Sequence, residues 1–172
     1  MKDVGKVIAC LKALGDFKPL VGSFEDRFKI QKIVYLLGLK GVKTGFGYNL
    51  YVCGPYSPDL AQEIYGRRSD FENLRSNARL SPKEEAAVAE LNGLFRLKSG
   101  LSEVAATYAY CVSVEKQDAI TAYKSVKKLK PFFTEAHVAV RISKAKEFLF
   151  PPTERQLQEM RDEMRGWESR PT

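Results

Sequence analysis

Phe24-Glu25-Asp26-Arg27-Phe28-Lys29-Ile30-Gln31-Lys32-Ile33-Val34-Tyr35-Leu36-Leu37 is the stretch of this 172-residue chain from which the fold is read. At about 100° per residue, Ile30, Ile33, Val34 and Leu37 share one side of a helix, while Phe24, Phe28 and Tyr35 fall together on the nearly opposite side. A helix with two apolar stripes is covered twice, so the spacing predicts a central element. Gln31 falls within the second stripe. A half-buried amide there needs hydrogen-bond partners, most cheaply the backbone of a neighbouring loop.

On the N-terminal side, a periodic segment from about Asp3 to Leu14 predicts a short helix, which Gly15 and Pro19 end. On the C-terminal side, Gly38, Gly41, Gly45 and Gly47 loosen the chain. Tyr48 to Val52 then alternates and is rich in strand formers, which predicts one short strand ending in Cys53-Gly54-Pro55-Tyr56, as part of a hairpin or wing. Ser57-Pro58-Asp59 supplies a cap, a first-turn proline and an acid for a helix whose inner face is Leu60, Ala61, Ile64 and Tyr65, with Gly66 as its stop.

Further along, Asp70 to Asn77 reads as another short helix. Ser81-Pro82-Lys83-Glu84 is a capping box ahead of Ala87, Val88, Leu91, Leu94 and Phe95. Leu101 to Val112 repeats apolar residues so densely that the helix should be nearly all buried. From Gln117 to Leu129, Ala119, Ala122, Tyr123 and Val126 face inward, and Lys130-Pro131 ends the run. Thr134 caps a helix carrying Val138, Ile142, Ala145, Phe148 and Leu149 inward. After Pro151-Pro152, a last amphipathic helix bears the stripe Leu157, Met160, Met164 and Trp167, read as packing on the body. The sum is a mainly α, compact multi-helix domain over 1–150 with at most one small β-hairpin, followed by a C-terminal helix and tail over 151–172. Three helices interrupted by a β-turn unit would suit a winged-helix-like arrangement.

Hydrophobic residues at 44% and charged residues at 28% exclude wholesale disorder. No apolar run reaches membrane-spanning length, and Met1 to Gly5 lacks a secretory layout, so the expectation is a cytoplasmic protein without a membrane partner. Cys10, Cys53 and Cys111 form no C-x-x-C, and His137 is the single histidine, so no metal site or cofactor is expected. A Cys53–His137 dyad is the one conceivable nucleophilic pair. Phosphate-cradling glycine motifs, Glu-x-Lys and an arginine shortly before His137 are all missing, which argues against an enzyme.

The chain carries a net charge of +7, and residues 116–146 hold eight bases against Asp118 and Glu135. Lys124, Lys127, Lys128, Arg141 and Lys144 are accordingly the candidate contacts to DNA or RNA phosphates, with a solvated face as the plainer reading.

Phe28 to Leu37, followed by Tyr48-Asn49-Leu50-Tyr51 and by Gly54-Pro55-Tyr56-Ser57-Pro58-Asp59-Leu60, resembles the YwgA-like family of small prokaryotic proteins. It is similar, more distantly, to the Panacea domain of SocA-type antitoxins, in which a Lys-Leu-Gln-Lys-Leu-Leu-Tyr helix precedes an aromatic strand and Gly-Pro. The likeness covers about 38 residues, Phe28 to Tyr65. This chain reads Gly54-Pro55-Tyr56-Ser57 where Gly-Pro-Val is usual, and its C-terminal helix is longer. The resemblance implies a non-catalytic regulator that binds a protein partner such as a toxin, with Lys29, Gln31, Lys32, Tyr35, Gly54, Pro55, Tyr56 and Ser57 as motif and partner-binding candidates. The alternative is a nucleic-acid-binding regulator of winged-helix type, and a homodimer is compatible with either. Read from the residues alone, Gln31, Tyr35 and the Gly54-Pro55 turn form a helix-to-loop clamp whose job is structural.

Overall fold

The computed structural model describes residues 1–95 and 99–168. Among them the chain is mainly helical, with one two-stranded antiparallel sheet. Asp3 caps α1 (Val4–Ala13) by accepting from the Lys6 N–H, and Ser23 caps α2 (Phe24–Leu39) through the Asp26 N–H. The hairpin β1 (Asn49–Tyr51) and β2 (Gly54–Tyr56) follows, then α3 (Pro58–Gly66), α4 (Arg68–Glu72) and α5 (Pro82–Phe95). The second half is α6 (Ser99–Ser113), α7 (Ala119–Leu129), α8 (Glu135–Leu149) and α9 (Glu154–Glu168).

The packing centre is α6, against which α2, α7, α8 and β2 all lie. Its sequence explains the position. Ala105, Ala106 and Ala109 are buried, and such small side chains let neighbouring backbones approach closely, while Tyr108 fills the space between. The central helix α2 is buried continuously from Ile30 to Leu37, as its two stripes require. At its N-terminal end the second stripe is open instead. Phe24 is 64% exposed and Phe28 is half-buried.

The expected hairpin is present, and its return strand follows at once: Val52 and Cys53 form a two-residue turn, and Gly54, with φ +97°, starts β2 opposite Tyr51. The positive φ lets the chain reverse two residues earlier than the alternation suggests. Three other expectations need correction. The short helix expected over Asp70 to Asn77 occupies Arg68–Glu72, because Leu74 adopts φ +49° and ends the helical path. Tyr65 and Ala119, assigned to inner faces, are exposed at the ends of their helices. Met160 and Met164 are exposed, so the α9 stripe does not pack on the body there. The side chains of Leu94, Phe95, Leu101 and Trp167 lie outside the described residues.

Candidate functional site: a clamped hairpin beside an aromatic ridge

The hairpin turn is held by side chains from three helices. Gln31 of α2 makes a reciprocal pair with Ser57: its Nε2 donates to the Ser57 carbonyl at 2.9 Å, and its Oε1 accepts from the Ser57 N–H at 2.9 Å. Both groups are buried, so the amide satisfies a donor and an acceptor that would otherwise be orphaned. Ser57 also caps α3, its hydroxyl accepting from the Leu60 N–H. One side chain of α2 thereby fixes where α3 begins.

Lys32, the next residue, donates from Nζ to the Pro55 carbonyl at 2.6 Å, with the Phe28 ring centroid 4.4 Å away. Lys130, the C-cap of α7, donates to the Val52 carbonyl at 2.8 Å and ion-pairs with Glu103 of α6. The two lysines therefore grip the carbonyls on either side of Cys53-Gly54. Both are about 1% exposed. At Gly54 the backbone runs so close to α6 that a Cβ would stand 2.6 Å from the Thr107 hydroxyl.

The electrostatics of this cluster are unequal. Glu103 ion-pairs with Lys130 rather than with Lys32. Burial first, and then the Lys130 charge, bring the Lys32 ammonium down to about 7, against the smaller opposing pull of Glu103 and Cys53. The amine borders a cavity of about 200 Å³ lined by Phe24, Phe28, Lys29, Cys53, Ser102 and Glu103, among others. A second, smaller cleft of about 80 Å³ lies on the other flank of Phe24 and Phe28, walled by Tyr56, Ile64 and Tyr65.

Between the clefts stands an aromatic ridge. Phe24 and Phe28 are in ring contact at 4.9 Å, and the Arg27 guanidinium lies 5.9 Å from the Phe24 ring and 5.1 Å from the Tyr65 ring. Tyr56 continues the surface to Tyr51, edge to face at 5.4 Å. Phe24, Tyr51, Val52 and Tyr65 are all exposed.

The structure brings Gln31, Lys32, Gly54, Pro55 and Ser57 together as the clamp, and Tyr56 into the adjoining cleft. Lys29 is drawn aside by Glu25 at 3.3 Å and Asp26 at 3.8 Å and forms one wall of the larger cavity. Tyr35 does not join the clamp as expected. It stacks edge-on to Tyr48 at 5.1 Å and beside Tyr110 at 6.1 Å, one helical turn beyond Gln31, and burial pushes both the Tyr35 and Tyr48 hydroxyls up. No hydrogen bond joins Cys53 to His137, which lies exposed in the first turn of α8.

The basic stripe expected over α7 and α8 is interrupted. Lys124 and Lys128 are exposed, but Lys127 donates to the Phe133 carbonyl at 2.8 Å, and Arg141 is half-buried 4.0 Å above the Phe133 ring. Lys144 is half-buried and Lys130 is wholly inside. Sequence reading missed Lys130, Glu103 and Thr107 as parts of the clamp. Glu103 carried a signal: a lone acid ahead of the Ala-rich run from Val104 to Ala109, in a helix expected to be buried, needs a cation. Lys130 carried none beyond its place before Pro131.

Comparison with known proteins finds no matching family model, no matching curated protein and no matching solved structure.

Proposed function

We propose that this chain is a non-catalytic regulator that acts by binding a protein partner, as its resemblance to the Panacea domain of antitoxins implies. One observation carries the reading: the exposed aromatic ridge of Phe24 and Phe28, set between two clefts and continued by Tyr65, Tyr56 and Tyr51. Aromatic side chains presented next to pockets are the usual anchors of protein interfaces, since they combine large buried area with few rotatable bonds. The clamp beneath supports the reading. By fixing the hairpin and the start of α3 to α2, it holds all parts of the ridge in one arrangement before a partner arrives, which lowers the ordering cost of binding.

The test is affinity recovery from the source lysate with and without nuclease, run in parallel on wild type and on Phe24→Asp. A stoichiometric protein that survives nuclease and is absent with Phe24→Asp is the expected result. Equal recovery by the variant would remove the ridge as the site. Recovery that collapses with nuclease would favour the alternative, a nucleic-acid-binding regulator, with Lys124 and Lys128 as its exposed contacts.

A further inference from the structure

The cavity between α2, the hairpin turn and α6 has a chemical character that the partner-binding reading does not use. Its bordering amine, Lys32 Nζ, makes one hydrogen bond, to Pro55. An ammonium there would present two more N–H donors toward the Phe28 ring face, 4.4 Å away, and the cavity, whereas a neutral amine leaves one N–H and a lone pair. Among the described residues, Glu103 from α6 ion-pairs with Lys130, Glu25 within α2 ion-pairs with Lys29, and Cys53 stands at the turn. The Phe24 and Phe28 rings form part of its wall, and its volume of about 200 Å³, below that of drug-sized ligand pockets, admits only a small molecule. Both carboxylates at its border, Glu25 and Glu103, are ion-paired to lysines, Lys29 and Lys130.

We propose that this cavity binds a small apolar aldehyde or ketone, which condenses with the Lys32 amine to a reversible imine. The Nζ lone pair attacks the carbonyl carbon, a C–N bond forms, and the carbonyl π pair moves to oxygen, which takes up a proton. Nitrogen loses its two protons over the sequence and the oxygen leaves as water, so amine plus carbonyl give imine plus one water with no change in oxidation level. Desolvated lysines next to a second cation serve this chemistry because the amine is neutral near pH 7. The lowered proton affinity of Lys32 accords with the geometry.

Wild-type protein at pH 7 is incubated with benzaldehyde and sodium cyanoborohydride, which reduces an imine to a stable secondary amine, and the labelled lysines are mapped by mass spectrometry. Each unit by which an amine's pKa is lowered raises its neutral fraction about tenfold, so Lys32 is expected to label at least about tenfold faster than exposed lysines such as Lys124, despite its burial. That advantage should shrink as pH is raised toward 10. Lys130, equally buried but ion-paired, is the internal control and should stay unlabelled. Labelling confined to exposed lysines would overturn the proposal. So would equal labelling of Lys32 and Lys130, which reports opening of the fold rather than a site. Neither outcome bears on partner recovery through the ridge, so the two readings fail separately.

Discussion

Gln31 and Gly54 are the two residues on which the hairpin depends, for opposite reasons. Gln31 contributes atoms: its amide completes both backbone groups of Ser57 in a buried place. Removing it in Gln31→Ala orphans a donor and an acceptor at roughly 1–3 kcal/mol each, so a loss of about 2–6 kcal/mol is expected in urea unfolding. Gln31→Glu separates the two bonds, since a carboxylate still accepts from the Ser57 N–H but faces the Ser57 carbonyl without a donor. It should be destabilised as well, and a variant as stable as wild type would show that only the N–H bond matters. Gly54 contributes an absence. At φ +97° and 2.6 Å from the Thr107 hydroxyl, the added methyl of Gly54→Ala meets strain and a clash together, worth about 1–3 kcal/mol for the backbone term alone. Combining it with Thr107→Ala should return the steric part and leave the backbone part, which a double-mutant cycle reads directly.

At the scale of elements, the legible features were those written in periodicity and capping. The helix starts at Ser57, Ser81 and Thr134 follow from short polar side chains ahead of apolar runs, and each accepts from a backbone N–H as its type requires. The need of Gln31 for loop backbone was legible too, because an amide inside an apolar stripe must be answered. Lys32 gave no such sign. A lysine between Gln31 and Ile33 fits a solvated position equally well, and only the arrival of the hairpin turn over α2 buries it. The place of the return strand was also hidden, because Gly54-Pro55-Tyr56 lacks the apolar alternation of a strand and pairs only through the φ of Gly54. The α9 stripe shows the reverse failure: amphipathic spacing says that a face wants cover, not that cover is present. With Met160 and Met164 exposed, ending the chain after Phe150 should shift the stability of the remainder by no more than about 0.5 kcal/mol. A larger loss in urea titration would mean that α9 braces the body. Likewise, Lys124→Glu with Lys128→Glu should leave partner recovery unchanged, because these lysines lie on α7 and contribute nothing to the ridge. If duplex DNA is bound instead, the same pair should flatten the salt slope by about 0.9 log unit for each phosphate that is no longer neutralised.

For the molecule as a whole, the buried titratable groups make stability depend on pH with two limbs of opposite sign. Lys32 loses its proton near pH 7 in the native state but only near its ordinary 10.5 once unfolded. Between those values the unfolded chain binds more protons, so stability must rise with pH across that interval, while below pH 7 the cost of the buried charge is present in full. Cys10 and Cys111, pushed up by burial from 9 to about 12 and about 11, act the other way. Their native thiols hold protons that the unfolded thiols release, so stability falls above about pH 9, and the raised Tyr35 and Tyr48 hydroxyls steepen that fall above 10. The ion pair of Lys6 and Glu84 adds no slope between these limits, since their hydrogen bond shifts the first upward from 10.5 and the second downward from 4.5. The rising limb from pH 7 to 9 therefore belongs to Lys32. Urea midpoints measured at pH 7, 8 and 9 should climb in wild type and stay level in Lys32→Met, which keeps the length of the side chain and removes the proton. Parallel curves for the two proteins would show that Lys32 stays charged in the native state, and the fold would then have to hold an ammonium on one carbonyl and one aromatic face.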